Sequence, residues 1–302
     1  MNSDLSANRP GLPAGACDCH CHVYGPYSRF PLSEDRRFTP NEAPNEAAET
    51  FWTRLGFTRA VVVQGASHGN DHRAMLEAIS RSPQSRRGVA IGRTDISDVE
   101  LLELDRAGVC AVRFNWITHL SNSEAQDIDK AAQLIQRVTP LGWQAELHIE
   151  AGHLPLVDGL ARRTSPPLVI DHMARVDASE GLAQPGFARL LQVMQSRRLW
   201  VKLSGADRMT QNSPLLAAAV EFATALIGIA PDRCVWGTDW PHVNLHRGTP
   251  DYELVALIHS FAPDPQQRFN LLVANTERLY GFDSPLEQNS QLNNQTIAEV
   301  TF

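Results

Sequence analysis

The sequence predicts an α/β protein that forms a single distorted (β/α)8 barrel of the TIM type. Eight short apolar runs recur along the chain, and segments with helical periodicity separate them. The chain has 302 residues, a length that one barrel of this kind commonly needs. Hydrophobic residues make up 43% of the chain and charged residues 20%, which is typical of a globular protein with a sizeable core.

The eight apolar runs are the predicted strands. Their near-continuous hydrophobicity is typical of parallel strands covered by helices on the outer side of a sheet. The segments 124–138 and 215–230 show helical periodicity between strands. A doubly wound open sheet is the alternative arrangement, but no GxGxxG motif follows the first run. The predicted strands are 16–23, 60–64, 88–92, 111–116, 144–150, 168–173, 199–205 and 234–239.

The barrel is expected to span residues 16–282 as one domain. Residues 1–15 are expected to form a flexible N-terminal segment, and residues 283–302 a flexible polar tail. The segment 25–44 is rich in proline and polar residues, so we expect a long loop there, after the first strand and over the active-site face.

Composition narrows the classes of partner. The net charge is −7 and no lysine or arginine block exists, so a nucleic-acid partner is not expected. No apolar run approaches the ~18 residues of a membrane helix. Three of the five cysteines are crowded together, a poor disulfide framework, which favours the reducing cytoplasm. We expect a monomer or a small homo-oligomer.

The stretch 16-ACDCHCHV-23 places cysteines and histidines in strict alternation. Since alternate residues of a strand share a face, Asp18, His20 and His22 are expected to point into the barrel. The three cysteines are then expected to lie under the helices, where a free cysteine behaves as a small hydrophobe. The alternative is that both histidines are ordinary core residues with satisfied hydrogen bonds.

Polar residues recur at the carboxyl ends of other predicted strands, where a barrel places its active site. In such a barrel, four histidines and one aspartate would surround a single point. Neutral imidazoles with a carboxylate are good ligands for Zn²⁺, and a divalent ion can lower the pKa of water to about 7. These residues are Arg113 and Asn115 on strand 4, His148 on strand 5, Asp171 and His172 on strand 6, and Asp239 after strand 8.

The chain resembles the amidohydrolase superfamily, in the branch of 2-pyrone-4,6-dicarboxylate lactonases and 4-sulfomuconolactone hydrolases. The resemblance runs from residue 18 to about residue 281 and implies a distorted (β/α)8 barrel that hydrolyses a cyclic ester. HxH alone is a weak motif, whereas HxH with DHM and GTDWPH on the expected strands is specific. The motifs are 18-DCHCHVYGP-26, 64-QGASHGNDHRA-74, 111-AVRFN-115, 171-DHMAR-175 and 235-VWGTDWPH-242.

The resemblance also implies roles for individual residues. Asp239 matches the general base that activates water, and His172 matches a histidine near the scissile carbonyl. Arg113 and Arg208 match arginines that hold substrate anions, for which the planar guanidinium is well suited. Ser67 matches a substrate-contacting serine, and His68 beside it is expected to belong to the same substrate-contacting loop.

Three positions depart from the pyrone dicarboxylate enzymes. His119 stands where they place a second arginine, His148 where they use a strand 5 tyrosine, and Phe38 where they use a loop tyrosine. The first and third departures remove groups that grip a dicarboxylate. The second restores the usual metal-ligand pattern of the superfamily.

The restored pattern implies that His20, His22, His148 and Asp239 hold one ion, zinc or another divalent metal, and leave His172 free to act on the substrate. A metal-free site, in which His148 only hydrogen-bonds the substrate, is the alternative.

The expected function is hydrolysis of a small anionic unsaturated lactone from aromatic catabolism, foremost 4-sulfomuconolactone to maleylacetate and sulfite. Hydrolysis of 2-pyrone-4,6-dicarboxylate is the alternative. A sugar-acid lactone isomerase and a metal-dependent decarboxylase of the same superfamily also fit the ligand pattern. A non-enzymatic binding protein fits poorly, because so many ionisable groups at one barrel mouth are typical of catalysis.

Overall fold

The computed structural model describes residues 11–117, 128–209, 216–245 and 250–283. The flexible segment expected at residues 1–15 is described only from residue 11, and the tail expected at 283–302 only at Asp283. His119 also lies outside the described residues.

Eight parallel strands are hydrogen-bonded in sequence order, from the first to the eighth. The predicted barrel is therefore confirmed, although the strand bounds differ from those of the apolar runs. The strands are β1 Cys17–Cys21, β2 Arg59–Val63, β3 Arg86–Ile91, β4 Val109–Asn115, β5 Gln144–His148, β6 Leu168–Ile170, β7 Leu199–Lys202 and β8 Cys234–Val235.

Backbone hydrogen bonds join β1 to the chain that leaves β8 and close the barrel. Cys19 N donates to Trp236 O at 2.9 Å, and Asp239 N donates to His20 O at 2.7 Å. A Cβ atom on Gly237 would lie 2.5 Å from the backbone nitrogen of His20. Only glycine therefore allows the two segments to approach so closely, and this approach brings Asp239 next to the histidines of β1.

Helices cover the outer face of the strands. In α4 the apolar residues recur at helical spacing, so Ala131, Leu134, Ile135 and Val138 are all buried on one side. The helices are α1 Asn45–Leu55, α2 Arg73–Arg81, α3 Asp98–Arg106, α4 Ile128–Val138, α5 Leu154–Arg163, α6 Pro185–Val193, α7 Leu216–Ile229, α8 Asp251–Phe261, α9 Pro265–Phe269 and α10 Asn275–Tyr280. The described helices include none that is long and apolar enough to cross a membrane.

The barrel interior is a separate apolar cluster from the one beneath the helices. The inward residues of the strands, such as Val61, Val89 and Val169, pack together there. Tyr280 and Phe282 from the C-terminal end of the described chain pack against them. The interior below the active site is thus filled with side chains, as expected for an eight-stranded barrel.

The strict alternation expected along β1 is wrong. Cys17 and Cys19 belong to the interior cluster, and only Cys21 packs beneath the helices. Asp18 points outward, where Trp52 Nε1 on α1 donates to its carboxylate at 3.3 Å. The pairing of β1 with β2 shifts register between Asp18 and Cys21. Such a bulge turns consecutive side chains to the same face, so His20 follows Cys19 into the barrel.

All eight strands end before the last residue of their predicted run, and for two of them a turn in the backbone explains the early end. The run 168–173 leaves the sheet after Ile170, because the four residues from His172 to Arg175 have φ angles of 49–54°. These angles form one left-handed turn, a conformation that non-glycine residues rarely adopt. The run 234–239 ends at Val235, and the backbone turns again at Asp239, whose φ is 63°. Both turns lie at the mouth of the barrel and carry expected site residues.

Candidate active site

Asp239 lies at the centre of the expected site. Its Oδ1 atom is 3.3 Å from His22 Nε2 and 3.7 Å from His20 Nε2. His172 Nε2 is 4.0 Å from the same oxygen. Arg208 Nε donates to the other oxygen, Oδ2. Burial opposes ionisation, but Arg208 and the neighbouring histidines outweigh it and hold the pKa of Asp239 well below its usual value. The carboxylate is therefore charged at neutral pH.

Each of the three imidazoles around Asp239 has a partner at its other ring nitrogen. His22 Nδ1 is 2.9 Å from the carbonyl oxygen of Val63, and His172 Nδ1 is 2.9 Å from Ser204 Oγ. His20 Nδ1 is 3.4 Å from Asp171 Oδ1. These contacts orient the rings so that their Nε2 atoms face Asp239.

Burial favours the neutral form of His20, His148 and His172. It lowers the pKa of His172 to about 3 and that of His20 well below its usual value. It also lowers the pKa of His148 well below its usual value, with Arg113 acting in the same direction. Neutral imidazole is the form that binds a metal ion or exchanges a proton with a substrate.

The donor atoms fit a divalent metal ion. Ligand atoms at about 2.1 Å from a tetrahedral zinc lie about 3.4 Å from one another, close to the separations measured around Asp239. Among the described residues, His20, His172 and Asp239 each offer one atom within 4.8 Å of the others. His20 Nε2 is buried and has no hydrogen-bond partner there. Metal-bound imidazoles commonly donate their second N–H to an oxygen, as His22 can to Val63 O and His172 can to Ser204 Oγ.

His148 lies beside this group and not within it. Its ring centre is 5.2 Å from that of His172, and in the described chain neither His148 nor His22 belongs to the group of three donors formed by His20, His172 and Asp239. Both of its ring nitrogens are buried without a hydrogen-bond partner in that part of the chain. The assignments made from the sequence, His148 as a ligand and His172 as the free imidazole, stay predictions.

Three arginines line the cavity above Asp239. Arg113 Nε donates to Asp171 Oδ2 at 2.7 Å, and the same side chain lines the cavity. Arg208 Nη2 donates to Val243 O at 3.0 Å while its Nε holds Asp239. Arg175 makes no hydrogen bond or ion pair with any described residue. Three guanidinium groups at one cavity favour an anionic ligand.

Arg175 was not predicted from the sequence. It is the last residue of the left-handed turn that begins at His172, and side chains three apart in such a tight turn lie on the same side. The turn therefore presents His172 and Arg175 to the same cavity. No residue pattern in 171-DHMAR-175 indicates positive φ angles, since the segment contains no glycine.

Ser67 and His68, the loop residues expected to touch substrate, both contact the loop that follows β1. Ser67 Oγ donates to Phe38 O at 2.8 Å, and Phe38 itself lines the cavity. His68 stacks on Tyr24, with ring centres 5.6 Å apart, and its Nδ1 is 3.1 Å from Pro31 O. In this geometry Ser67 and His68 hold the loop after β1 in place. Their direct contact with substrate remains a prediction.

A buried ionic network lies directly beneath the histidines and was also missed. Lys202 Nζ on β7 is 2.6 Å from Glu146 Oε2, 3.5 Å from Asp171 Oδ1 and 3.1 Å from His20 Nδ1. Tyr280 Oη donates to the other oxygen of Glu146 at 3.0 Å. Burial lowers the pKa of Lys202, but the two carboxylates outweigh it and raise that pKa overall, so the ammonium stays charged. The network fixes Asp171, which in turn orients Arg113 and His20.

The site as a whole can bind an anion, hold an ionised carboxylate beside neutral imidazoles, and accommodate one divalent ion. No serine or cysteine lies among the residues that line the cavity in the described chain. These features suit the attack of water on a carbonyl group better than covalent catalysis by a side chain.

Comparison with known proteins agrees with the fold and the site. The family model described as amidohydrolase matches residues 17–282. A 2-pyrone-4,6-dicarboxylate hydrolase of Comamonas testosteroni is 38% identical over 89% of this chain and 91% of its own length. A 4-sulfomuconolactone hydrolase of Hydrogenophaga intermedia is 36% identical over 89% of this chain and 90% of its own length.

A solved structure shares the whole architecture. It comes from a Pseudomonas putida protein with the provisional name 2-pyrone-4,6-dicarboxylic acid hydrolase. The two superpose with a TM-score of 0.80 and 32% identity, over 90% of this chain and 99% of that one. The eight-stranded barrel, the site around Asp239 and these relatives all agree with the match to the family model. The chain belongs to the amidohydrolase family.

Proposed function

We propose that this protein hydrolyses a small anionic unsaturated lactone, foremost 4-sulfomuconolactone. The observation that carries the proposal is the ionised carboxylate of Asp239, surrounded by neutral imidazoles and lying next to a cavity lined by three arginines. The curated relatives named as lactone hydrolases, at 34–38% identity, support the same reaction class.

The anionic groups of the substrate place its reactive carbonyl. Arg113 and Arg175 hold carboxylate or sulfonate groups through charge-assisted hydrogen bonds. The carbonyl then lies over Asp239 and the imidazoles, because these line the same cavity. Holding the substrate carbonyl and the catalytic groups in a fixed geometry supplies much of the rate enhancement, because the reaction then needs no further orientation.

Asp239 accepts a proton from the attacking water. A carboxyl group with such a low pKa is a weak base, and it can deprotonate water only if the pKa of the water is lowered. A divalent ion such as zinc would lower that pKa when bound. His20, His22 and Asp239 would hold the ion, with His172 as the fourth donor that this geometry favours. Asp239 is oriented for the task by Arg208 and by its backbone bond to His20.

His148 stabilises the developing oxyanion in this scheme. Its ring lines the cavity and has no hydrogen-bond partner among the described residues, so one N–H can donate to the carbonyl oxygen as negative charge develops. The carbonyl–oxygen bond of the ring then breaks and the ring oxygen takes a proton. In 4-sulfomuconolactone that oxygen stays on the carbon that bears the sulfonate. This carbon becomes a ketone, the carbon–sulfur bond breaks with its electron pair, and sulfite leaves with maleylacetate.

Hydrolysis of 2-pyrone-4,6-dicarboxylate is the second candidate. The 38% identical Comamonas relative carries that name, and three cavity arginines suit two carboxylates. The experiment follows both lactones by ultraviolet absorbance with purified protein, with and without added zinc, and assays sulfite in parallel. Loss of the sulfonate lactone with stoichiometric sulfite supports the first candidate, and loss of the dicarboxylate alone supports the second. If neither reacts, lactone hydrolysis is wrong, and release of CO₂ from an aromatic acid is the next reaction to test.

A further inference from the structure

A second cavity of about 320 Å³ opens over the strand ends of β2, β3 and β4. The cavity above Asp239 is much smaller, about 40 Å³, and lies over β1 and β4–β8. The two share a wall made of Phe38, Ala66, Arg113 and Asn115. A substrate whose carbonyl lies near Asp239 can therefore extend past Arg113 into the second cavity.

Part of the lining of the second cavity is apolar. Its walls include Phe38, Ile91, Phe114 and Trp116, and it also runs along the backbone of Gly92. A Cβ atom on Gly92 would lie 2.8 Å from the ring of Phe114, so this wall keeps its shape only with glycine. An apolar cavity of about 150 Å³ is enough for benzene. The second cavity thus has room for an aromatic ring beyond the lactone itself.

The second cavity is also lined by charged side chains, namely two arginines besides Arg113 and one carboxylate, Asp35. Arg37 lines it and makes no hydrogen bond or ion pair with any described residue. Arg93 lines it too, with its terminal nitrogens held by Asp95 and Glu100. The Nε atom of Arg93 is buried and has no hydrogen-bond partner in the described part of the chain. A guanidinium with no partner among the described residues and a buried N–H without an acceptor are both suited to a terminal carboxylate.

We propose that the second cavity binds an aryl substituent of the lactone, and that Arg37 and Arg93 bind a carboxylate at the end of that substituent. The proposal rests on the proposed function and deepens it, because it adds aryl-substituted lactone acids to the substrate class. The apolar walls favour the ring, and the two arginines favour the anion over a neutral end group.

The test compares three lactones with the same ring: 2-pyrone-4-carboxylate, its 6-phenyl derivative and its 6-(4-carboxyphenyl) derivative. We expect the wild-type protein to hydrolyse the carboxyphenyl compound with the highest kcat/KM. Ile91→Trp fills the cavity and should lower kcat/KM for both aryl lactones at least tenfold relative to the unsubstituted lactone. Ile91→Val, the matched control, should leave that ratio within twofold.

A second variant tests the charged end. Arg37→Gln should raise KM for the carboxyphenyl lactone about tenfold, as expected for loss of one charge-assisted hydrogen bond. The phenyl lactone has no carboxylate there, so its KM should change less than twofold. Equal effects on the two compounds would overturn the assignment of Arg37. Failure of the wild-type protein to bind either aryl lactone, or equal effects of Ile91→Trp on all three compounds, would overturn the proposal as a whole.

Calorimetry separates this proposal from the proposed function. If no lactone is hydrolysed, but the carboxyphenyl compound binds the wild-type protein and loses at least tenfold in affinity with Ile91→Trp, the cavity assignment stands and lactone hydrolysis is wrong. If the unsubstituted lactone is hydrolysed and the aryl compounds neither react nor bind, lactone hydrolysis stands and the cavity assignment is wrong.

Discussion

At the scale of single residues, the roles of two neighbouring histidines decide how the site works. His148 and His172 lie with their ring centres 5.2 Å apart, and only His172 joins the donor cluster with His20 and Asp239. The ring of His172 has a hydrogen bond at its second nitrogen, as metal ligands commonly do. The ring of His148 has no hydrogen-bond partner among the described residues and is therefore available to a substrate.

Alanine at each position should separate these roles. His172→Ala should lower zinc affinity at least tenfold, because it removes a ligand, whereas His148→Ala should keep the ion and lower kcat at least tenfold. Metal analysis after dialysis against zinc, together with turnover, measures both effects. Loss of the ion in His148→Ala with retention in His172→Ala would restore the ligand set predicted from the sequence.

Arg175 is a second residue whose role was visible only in the structure. Arg175→Gln should raise KM for an anionic lactone roughly tenfold to a hundredfold, since hydrogen bonds to charged groups contribute about 1.5–3 kcal/mol. Arg197→Gln is a control at a surface arginine, whose side chain is 86% exposed. A KM within twofold of the wild-type value in Arg175→Gln would show that the anion does not reach this guanidinium.

At the scale of secondary-structure elements, β5 and β7 place a charged network under the site. Lys202 and Glu146 are both fully buried and 2.6 Å apart. Removing one partner of a buried ion pair leaves an uncompensated charge, which commonly costs about 3–5 kcal/mol. The cost arises although the intact pair itself contributes little net stability.

Lys202→Met should therefore lower the free energy of unfolding by about 3–5 kcal/mol. Tyr280→Phe removes only the hydrogen bond to Glu146 in the same network and should cost about 1 kcal/mol. Urea unfolding of both variants provides the comparison. An equal and small loss in the two variants would mean that Lys202 is not the charge partner that holds the network together.

The sequence predicted the elements better than their ends. Eight apolar runs were enough to place eight strands, because parallel strands under helices are hydrophobic on both faces. The motif residues His20, His22, His172 and Asp239 were found because each lies at a strand end, where the fold brings them together. The inward Glu146 and Lys202 were overlooked, although both are charged residues inside apolar runs.

Local backbone irregularities could not be predicted from residue patterns. The bulge in β1 turns both Cys19 and His20 inward, against the rule of alternation. The left-handed turn after β6 puts four non-glycine residues at positive φ and aims Arg175 into the cavity. Backbone strain of this kind concentrates at functional sites and depends on the surrounding tertiary structure.

At the scale of the whole molecule, the buried histidines link stability to pH. His20, His148 and His172 all have lowered pKa values in the folded protein, that of His172 at about 3. In the unfolded chain their pKa is about 6.5, so below that pH the unfolded state binds more protons and gains stability. Asp18, whose pKa burial raises to about 6, opposes this trend, and so do Glu146, Asp207 and His242, whose pKa values are also raised.

We therefore expect the free energy of unfolding to fall as the pH is lowered from 7 to 5. The slope should be roughly 1.4 kcal/mol per pH unit for each extra proton that the unfolded state binds. Urea unfolding at pH 7, 6 and 5, in the absence of added metal, measures it. Stability that rises over this interval would show that these histidines are not buried in neutral form.

The central claim is that Asp239 activates water for attack on an anionic lactone, and one comparison tests it most directly. The rate of 4-sulfomuconolactone hydrolysis is measured for the wild-type protein and for Asp239→Asn, which keeps the shape of the side chain and removes its charge. Loss of a general base commonly costs about 10²–10⁴-fold in rate. We expect the wild-type protein to release stoichiometric sulfite and the variant to be slower by at least a thousandfold in kcat, with an unchanged far-ultraviolet spectrum. A variant that turns over at nearly the wild-type rate would contradict the account.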